Sequence, residues 1–372
     1  MRIDPFGLER WFAEYEHEAD IMLAESGIRS LDASRFDLDP GRLDYVIPTN
    51  GDPDFRAAVG DRYGRDADEV LFTCGTQEAN FLAFCSLLGD ESGVGETAIG
   101  TGSHAVVVTP TYQALHAVPD AFGDVTRVEL EPPEWRLDAD AITDAARDDT
   151  AVIVVNNPNN PTGRYHDEAA MRAVYDVAVD HDAYLLCDEV YRLLAAEPQP
   201  PVASFGAHGI STTSLTKAYG LAGLRFGWIA GPEPLVERAW RWKDYTTISP
   251  SLLGQHVAKQ ALGRREPRIL EENRELTETN REIVADWLDR HDLDWHDPVG
   301  VNGFVTVPDG FDDAEAFCRT VVETESVVLA PGHLFGFPDR FRIGFGLPTD
   351  ELTEGLERVS SVIESAAADG GV

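Results

Sequence analysis

Residues 214–228 read SLTKAYGLAGLRFGW, and Lys217 lies there among hydroxyl-bearing, glycine and apolar residues. It is one of only three lysines in a chain of 372 residues, and every other cationic side chain is an arginine. A guanidinium is never deprotonated and cannot form a Schiff base, whereas a lysine amine can. The sequence therefore indicates that Lys217 is retained for amine chemistry. For the other two, Lys243 and Lys259, a surface position is far more plausible.

Short apolar runs alternate with amphipathic stretches between Glu69 and Ala230, which is the rhythm of a mostly parallel sheet covered by helices. The predicted strands are Val70–Thr73, Ala105–Thr109, Val125–Leu130, Val152–Asn156, Tyr184–Asp188, Ile210–Leu215 and Phe226–Ala230. Ligands of such α/β folds usually bind at the carboxyl ends of the strands. The sequence thus predicts a large α/β domain with a mostly parallel seven-stranded sheet at residues 40–262.

A smaller α+β domain is predicted from residues 1–39 and 263–372. It contains an amphipathic N-terminal helix over residues 8–23, and the short apolar runs Gly303–Val307, Val327–Ala330 and Phe341–Phe345. The sequence predicts one long helix over residues 234–263, which precedes the C-terminal part of the smaller domain.

Three stretches with polar side chains follow predicted strands. Cys74-Gly75-Thr76-Gln77 lies between a strand and a helical pattern, where backbone N–H groups can bind phosphate. The run NNPNNPTG at 156–163 forms a tight loop that would hold an asparagine rigidly. The run DEVY at 188–191 begins with a carboxylate, Asp188, that follows an apolar strand. Such a group is poorly solvated and favours a cationic partner.

The charge balance is strongly acidic. Asp and Glu number 66 against 30 Lys and Arg, which gives a formal net charge of −36. An acid excess with few lysines keeps a protein hydrated in concentrated salt, where repulsion between like charges is screened. We therefore expect a halophilic protein. We expect no nucleic-acid partner, because no basic face can displace phosphate counterions.

The cysteines and the N-terminal residues bear on the cellular compartment. Cysteines at positions 74, 85, 187 and 318 have no C-x-x-C spacing, which favours neither a disulfide framework nor a metal site. Acidic residues interrupt the first 25 residues, and no later run approaches the roughly 18 apolar residues of a membrane span. We expect a cytoplasmic protein with no bound metal and no membrane contact.

Three motifs occur in a specific order: N-P-x-N-P-T-G at 157–163, D-E-V-Y at 188–191 and S-x-T-K-x-Y-G-x-x-G-x-R-x-G at 214–227. In combination they resemble the class I/II aminotransferases, which are fold-type I enzymes dependent on pyridoxal 5′-phosphate. The resemblance covers the chain from about Tyr45 to Phe345. It implies the fold-type I architecture, this cofactor, and transfer of an amino group between an L-amino acid and a 2-oxo acid.

The resemblance also implies a role for each matching residue. Lys217 would bind the cofactor as a Schiff base and then move the substrate α-proton. Asp188 would pair with the ring nitrogen, and Asn160 and Tyr191 would hydrogen-bond the ring 3′-oxygen. Tyr112 would stack on the ring. The residues that would bind the phosphate are Gly75, Thr76, Gln77, Ser214 and Arg225.

Two more residues would serve the substrate and the partner subunit. Arg342 matches the arginine that binds the α-carboxylate, and a planar guanidinium suits bidentate recognition. Asn160 is the second residue that the resemblance assigns to substrate binding. Tyr45 resembles the tyrosine that reaches the phosphate of a neighbouring subunit. The resemblance therefore implies a homodimer with shared active sites.

Some positions depart from the family pattern. Where a histidine often follows the stacking aromatic by three residues, this chain has Leu115, with His116 beside it, so support of Asp188 by histidine is left open. Residues 25–28, 243–249 and 331–336 resemble a subgroup that includes capreomycidine synthase, which leaves β-elimination-type cyclisation as an alternative activity. A non-enzymatic, cofactor-sensing regulator would need a DNA-binding domain, which the acidic N-terminal helix does not provide.

Overall fold

A single sheet organises the larger domain. The computed structural model describes residues 3–88 and 102–369. The strands of this sheet are β1 (Val70–Thr73), β2 (His104–Thr109), β3 (Asp124–Glu129), β4 (Thr150–Asn156), β5 (Tyr184–Asp188), β6 (Gly209–Ser214) and β7 (Gly227–Ala230). Their order is β1-β7-β6-β5-β4-β2-β3, in which β7 is antiparallel to both neighbours and the other pairs are parallel. The predicted α/β fold with a mostly parallel seven-stranded sheet is confirmed.

Helices cover both faces of this sheet. The described residues contain α1 (Gly7–Tyr15), α2 (Pro53–Gly60), α3 (Gly75–Leu88), α4 (Ala114–Phe122), α5 (Ala139–Ala145), α6 (Glu168–Asp180), α7 (Glu233–Lys243), α8 (Leu252–Ala261), α9 (Glu266–Arg290), α10 (Ala314–Glu325) and α11 (Thr349–Asp369), of which α10 and α11 belong to the smaller domain. Strand β4 alternates between the faces: Val154 packs in the apolar cluster that contains Leu82 of α3, and Ile153 packs in the one that contains Val174 of α6. Burial on both faces explains why β4 is a continuous apolar run.

A smaller antiparallel sheet forms the core of the second domain. Its strands are β8 (Asn302–Thr306), β9 (Ala330–Pro331) and β10 (Arg340–Gly344), in the order β8-β10-β9. Helices α10 and α11 contribute buried residues such as Phe317 and Leu356 to its core. The smaller α+β domain is confirmed, whereas its boundaries at residues 40 and 262 stay a prediction. No helix in the described part of the chain combines the length and apolarity needed to cross a membrane.

Two predicted helices are wrong in extent. The helix predicted over 234–263 is interrupted between Lys243 and Leu252, where Pro250 lacks the N–H that a helix interior needs and Ser251 caps α8 by accepting a bond from the Gly254 N–H at 3.1 Å. The N-terminal helix ends at Tyr15 rather than near residue 23.

The N-terminal helix is short because the residues after it pair with the smaller domain instead. Ile21 forms a parallel bridge with Val327, and the Leu23 carbonyl accepts from the Gly344 N–H at 2.5 Å. Ile21 and Leu23 are both buried. Pairing and burial of this extended segment override the helical spacing of the apolar residues. The partners are distant in the chain, so the local sequence pattern does not reveal the pairing.

Candidate active site

Three parallel strands end at one cleft. The register pairs Asn156 of β4 with Asp188 of β5, and Asp188 with Thr212 of β6. The cleft at this edge has a volume of about 400 Å³. Of the predicted site residues, those that line it are Thr76, Gln77, Tyr112, Asn160, Asp188, Tyr191, Ser214, Lys217, Arg225 and Arg342.

Asp188 is a buried carboxylate at the end of β5. Asn80 of α3 donates an Nδ2 hydrogen bond to its Oδ2 at 2.9 Å, and the Val190 N–H donates to its Oδ1 at 3.3 Å. Burial raises the pKa of Asp188 to about 6, against the opposing effect of these hydrogen bonds. A buried carboxylate that titrates near neutrality is a suitable partner for a protonated ring nitrogen.

Asn80 is a site residue that sequence reasoning missed. Its Oδ1 accepts from Thr212 Oγ1 at 2.6 Å, which fixes the amide with Nδ2 towards Asp188. His116 lies instead next to Arg127, at 3.4 Å between Nδ1 and Nη2, and burial together with the Arg127 charge lowers its pKa. The signal for Asn80 was a polar residue near the start of the largely apolar stretch 79–88 of α3.

Lys217 lies in the connection between β6 and β7, and its side chain is half-buried. Its Nζ donates to Ser26 Oγ at 3.3 Å. Gly220, at φ +65°, turns the chain after it, and a Cβ there would meet the Arg29 carbonyl oxygen at 2.6 Å. Lys217 therefore reaches the cleft from a tight loop held against the N-terminal segment.

The asparagine-rich loop after β4 is fixed by its own side chains. Asn156 Nδ2 donates to the Asp188 carbonyl at 2.9 Å, and Asn156 Oδ1 accepts from the Asn160 N–H at 2.7 Å. Asn159 Nδ2 donates to the Pro110 carbonyl at 3.0 Å. These bonds hold Asn160 rigidly at the cleft, as its sequence context predicts.

The start of α3 and Arg225 form an anion-binding corner. Gly75 has φ +78°, a left-handed conformation that favours glycine, and a Cβ at this position would lie 2.8 Å from Arg225 Nη2, so the guanidinium would have to shift. Thr76 Oγ1 is buried and has no hydrogen-bond partner among the described residues. Ser214 is buried nearby, and its Oγ accepts from the Thr216 N–H at 3.3 Å. A helix start, a guanidinium and an unpaired hydroxyl together suit a phosphate.

Arg342 of β10 is only 1 % exposed. Its Nη1 donates to Asn160 Oδ1 at 3.0 Å, and its Nη2 donates to the Ala24 carbonyl at 2.6 Å. Its Nε is buried, and no group in the described part of the chain forms a hydrogen bond with it. Burial lowers the pKa of Arg342, so an anionic ligand that approached this guanidinium would be favoured strongly.

The N-terminal segment closes one side of the cleft. The Tyr112 ring lies 5.0 Å from the Phe6 ring, and its hydroxyl donates to Glu9 Oε1 at 2.9 Å. Burial, followed by the nearby Glu9 charge, raises the pKa of Tyr112. Glu9 and Glu25 both line the cleft.

Tyr45 lies apart from the cleft of its own chain. It is 71 % exposed, with Leu43 and Ile47 exposed on the same segment. The structure of one chain therefore does not bring Tyr45 to the other predicted site residues.

The prediction of surface positions holds for one lysine and is wrong for the other. Lys259 is partly exposed and pairs with Asp52. Lys243 is fully buried and forms an ion pair with Glu78 at 3.2 Å between Nζ and Oε2. Its position at the end of α7, against the first turn of α3, depends on tertiary packing and has no local sequence signal.

The chemistry of the cleft fits one cofactor. Asp188 suits a ring nitrogen, Lys217 supplies an amine for an aldehyde, and the corner of Gly75, Thr76 and Arg225 suits a phosphate. Pyridoxal 5′-phosphate carries all three groups.

Comparisons with known proteins agree with this fit. The profile of the family "Aminotransferase class I and II" matches residues 22–359. The chain is 31 % identical to capreomycidine synthase of Streptomyces vinaceus, over 97 % of this chain and 94 % of that protein. It is 25 % identical to an aspartate aminotransferase of Bacillus subtilis (strain 168), over 90 % of this chain and 87 % of that protein.

A solved structure is similar over nearly the whole chain. A PLP-dependent aminotransferase from Streptococcus suis 89-1591 superposes with a TM-score of 0.88 at 29 % identity, covering 98 % of this chain and 99 % of that one. The extent of these matches, together with the geometry of the cleft, identifies the chain as a member of the class I and II aminotransferase family, and its cofactor is pyridoxal 5′-phosphate.

Proposed function

We propose that this enzyme moves an amino group between an L-amino acid and a 2-oxo acid in the cleft at the ends of β4, β5 and β6. The observation that carries the proposal is the convergence of Asp188, Lys217 and Arg342 on one cleft. These residues come from β5, the β6–β7 connection and β10. They supply a carboxylate, an amine and a guanidinium, the three groups that amino-group transfer requires.

Pyridoxal 5′-phosphate, when bound, supplies a ring that withdraws electrons from the substrate α-carbon. Asp188 would hold the ring nitrogen in its protonated form, with Asn80 fixing the carboxylate. The Lys217 amine would take the α-proton and return it at a different carbon. Asn160 and Tyr191 would hold the oxygen substituent of the ring.

Arg342 would bind the substrate α-carboxylate. Because Asn160 and the Ala24 carbonyl already hold its two Nη atoms, the orientation of the guanidinium is set before the substrate arrives. The unpaired Nε and the remaining Nη hydrogens would donate to the carboxylate. This preorganisation lowers the entropic cost of substrate binding.

A half-reaction screen tests the proposal. The enzyme loaded with cofactor is mixed with single L-amino acids, without an acceptor, and the absorbance change of the cofactor and the release of the matching 2-oxo acid are measured together. We expect one 2-oxo acid per active site for the correct donor. Amino acids that bind without releasing any 2-oxo acid would contradict transamination.

A second candidate activity is cyclisation through loss of a β-substituent. Glu9 and Glu25 line the cleft, while its cations, Lys217, Arg225 and Arg342, are assigned to cofactor and α-carboxylate. Two remaining carboxylates favour a substrate with a cationic side chain. Capreomycidine synthase is a relative by sequence, and the PLP-dependent cyclase OrfR has a similar structure, with a TM-score of 0.85 at 28 % identity. A β-hydroxylated basic amino acid distinguishes the two: transamination gives a 2-oxo acid, whereas cyclisation releases the β-hydroxyl as water and gives a product that is lighter by one water and keeps its α-amino group.

We also propose that the enzyme is a homodimer with shared active sites. The exposed apolar side chains of Leu43, Tyr45 and Ile47 lie together on one segment, and Tyr245 is exposed on the loop after α7. A second subunit that covered this segment would bury apolar surface and could bring Tyr45 to its phosphate corner.

The proposed setting is a salt-rich cytoplasm. A net charge of −36 over 372 residues supports solubility in concentrated salt. The four cysteines are free thiols, three of them buried, which suits a reducing compartment.

A further inference from the structure

A buried ion pair lies directly behind the proposed phosphate corner. Lys243, at the end of α7, is 0 % exposed, and its Nζ donates to Glu78 Oε2 at 3.2 Å and also to Thr247 Oγ1. Glu78 lies in the first turn of α3, which begins at Gly75. The pair thus joins the loop after α7 to the helix start that would bind the cofactor phosphate.

Glu78 holds the turn through its other bonds. Its Oε2 accepts from the Cys74 N–H at 2.6 Å, and its Oε1 accepts from Thr246 Oγ1 at 2.8 Å and Thr247 Oγ1 at 2.7 Å. Against the effect of burial, the Cys74 bond and the Lys243 charge lower the pKa of Glu78, so its carboxylate is ionised. The Glu78 carboxylate therefore fixes the backbone of Cys74, the residue before Gly75.

An anion at this position creates an electrostatic conflict. A carboxylate in the first turn of a helix is favoured by the helix dipole, yet here it lies beside a site for a doubly charged phosphate. Like charges in a buried setting repel strongly. Lys243 resolves the conflict, because its charge neutralises Glu78 without occupying the cleft, whose lining residues do not include Lys243.

The unfavourable burial of two charges indicates that this ion pair has a role other than stabilising the fold. Burial lowers the pKa of Lys243, which means that keeping the ammonium charged is unfavourable apart from Glu78. Buried ion pairs often contribute little net stability compared with apolar residues of similar volume. A protein with only three lysines nevertheless places one here.

We propose that Glu78 and Lys243 are positioning residues: Glu78 shapes the Cys74–Gln77 turn and Lys243 neutralises Glu78, so that the turn accepts the cofactor phosphate. The proposal rests on the phosphate role assigned above to this turn. It does not require Lys243 to contact cofactor or substrate.

The test is a double-mutant cycle read with two ligands. Dissociation constants are measured for pyridoxal 5′-phosphate and for pyridoxal, which lacks the phosphate, on Lys243→Met, Glu78→Gln and the double variant. Lys259→Met is the matched control, because Lys259 also pairs with a carboxylate, that of Asp52, but lies nearer the surface. Thermal melts with saturating cofactor establish that each variant is folded.

We expect Lys243→Met to weaken pyridoxal 5′-phosphate binding by about 10-fold or more, since it leaves an unpaired carboxylate behind the phosphate. Pyridoxal binding should change less than about 2-fold. The double variant should recover part of the loss, and Lys259→Met should resemble the parent.

Equal weakening of both ligands by Lys243→Met would mean general structural damage and would overturn the proposal, as would unchanged binding of both. If Lys243→Met does not fold, the proposal is tested by comparing cofactor binding between Glu78→Gln and the double variant. Both should bind the phosphate form within a few-fold of each other, and a double variant much weaker than Glu78→Gln would contradict neutralisation. If the parent enzyme itself shows no preference for the phosphate form, the assigned role of the turn fails instead.

Discussion

Replacing Asp188 by asparagine should make the cofactor-free protein more stable at neutral pH, although it removes the carboxylate proposed to hold the ring nitrogen. Burial raises the pKa of Asp188 from 3.8 to about 6 in the folded chain. A raised folded-state pKa means that folding is favoured when the group is protonated, and this contribution is lost as the pH rises through the folded pKa. Asparagine has no such penalty.

The magnitude follows from the two pKa values. A difference of about 2 pKa units costs about 3 kcal/mol at pH 7, where both states are ionised, and about 1.5 kcal/mol at pH 5. Asparagine can still accept from Asn80 or from the Val190 N–H, but losing one of these bonds costs about 1 kcal/mol. The net gain for Asp188→Asn is about 2 kcal/mol at pH 7 and less than about 1 kcal/mol at pH 5.

Denaturant unfolding of the cofactor-free protein in molar KCl, from pH 5 to pH 8, measures this gain. Asp312→Asn, at an exposed aspartate, is the control and should show no such pH-dependent gain. With pyridoxal 5′-phosphate present, the order should reverse, because only the carboxylate pairs with a protonated ring nitrogen. An Asp188→Asn protein that is less stable than the parent at pH 7 without cofactor would refute the assignment of a desolvated carboxylate.

Three further outcomes are expected. Arg342→Lys keeps the charge but cannot hold Asn160, the Ala24 carbonyl and a carboxylate together, so kcat/KM for the amino acid should fall by about 10- to 150-fold while cofactor affinity stays within about 2-fold; equal loss of both would contradict the role. Mixing Tyr45→Ala with Lys217→Ala subunits should give hybrid dimers with one intact site, and absence of any gain in activity or cofactor affinity over the separate variants would exclude shared sites. Melting temperatures should rise by several degrees from dilute buffer to molar KCl, because salt screens the repulsion among 66 acids; equal melting temperatures would exclude salt adaptation.

The parts of the fold that the sequence predicts well are those with a local cause. Buried parallel strands such as β4 are continuous apolar runs, and the residue that ends each run, such as Asn156 or Asp188, lies at the same sheet edge. That rule is enough to bring Asp188 and Lys217 together. The motif residues of the cleft follow from it.

The parts that the sequence does not predict depend on contacts between distant segments. Asn80 supports Asp188 from a helix 108 residues away, and Lys243 is buried only because α7 packs against the start of α3. Leu23 fits the helical spacing of the N-terminal apolar residues but, like Ile21, pairs with the smaller domain instead. In each case the position of the side chain depends on a contact with a segment that is distant in the sequence, so the local pattern does not predict it.

Covalent labelling of the three lysines tests the central claim most directly. The enzyme loaded with pyridoxal 5′-phosphate is reduced with borohydride and digested, and the labelled peptide is located by mass spectrometry, with and without prior incubation with the amino donor found in the half-reaction screen. We predict that the label lies on Lys217, is absent from Lys217→Ala, and is prevented by the donor because the amino group has moved to the cofactor. A label on Lys243 or Lys259, or one on Lys217 that the donor does not prevent, would contradict Lys217 as the residue that binds the cofactor and transfers the proton.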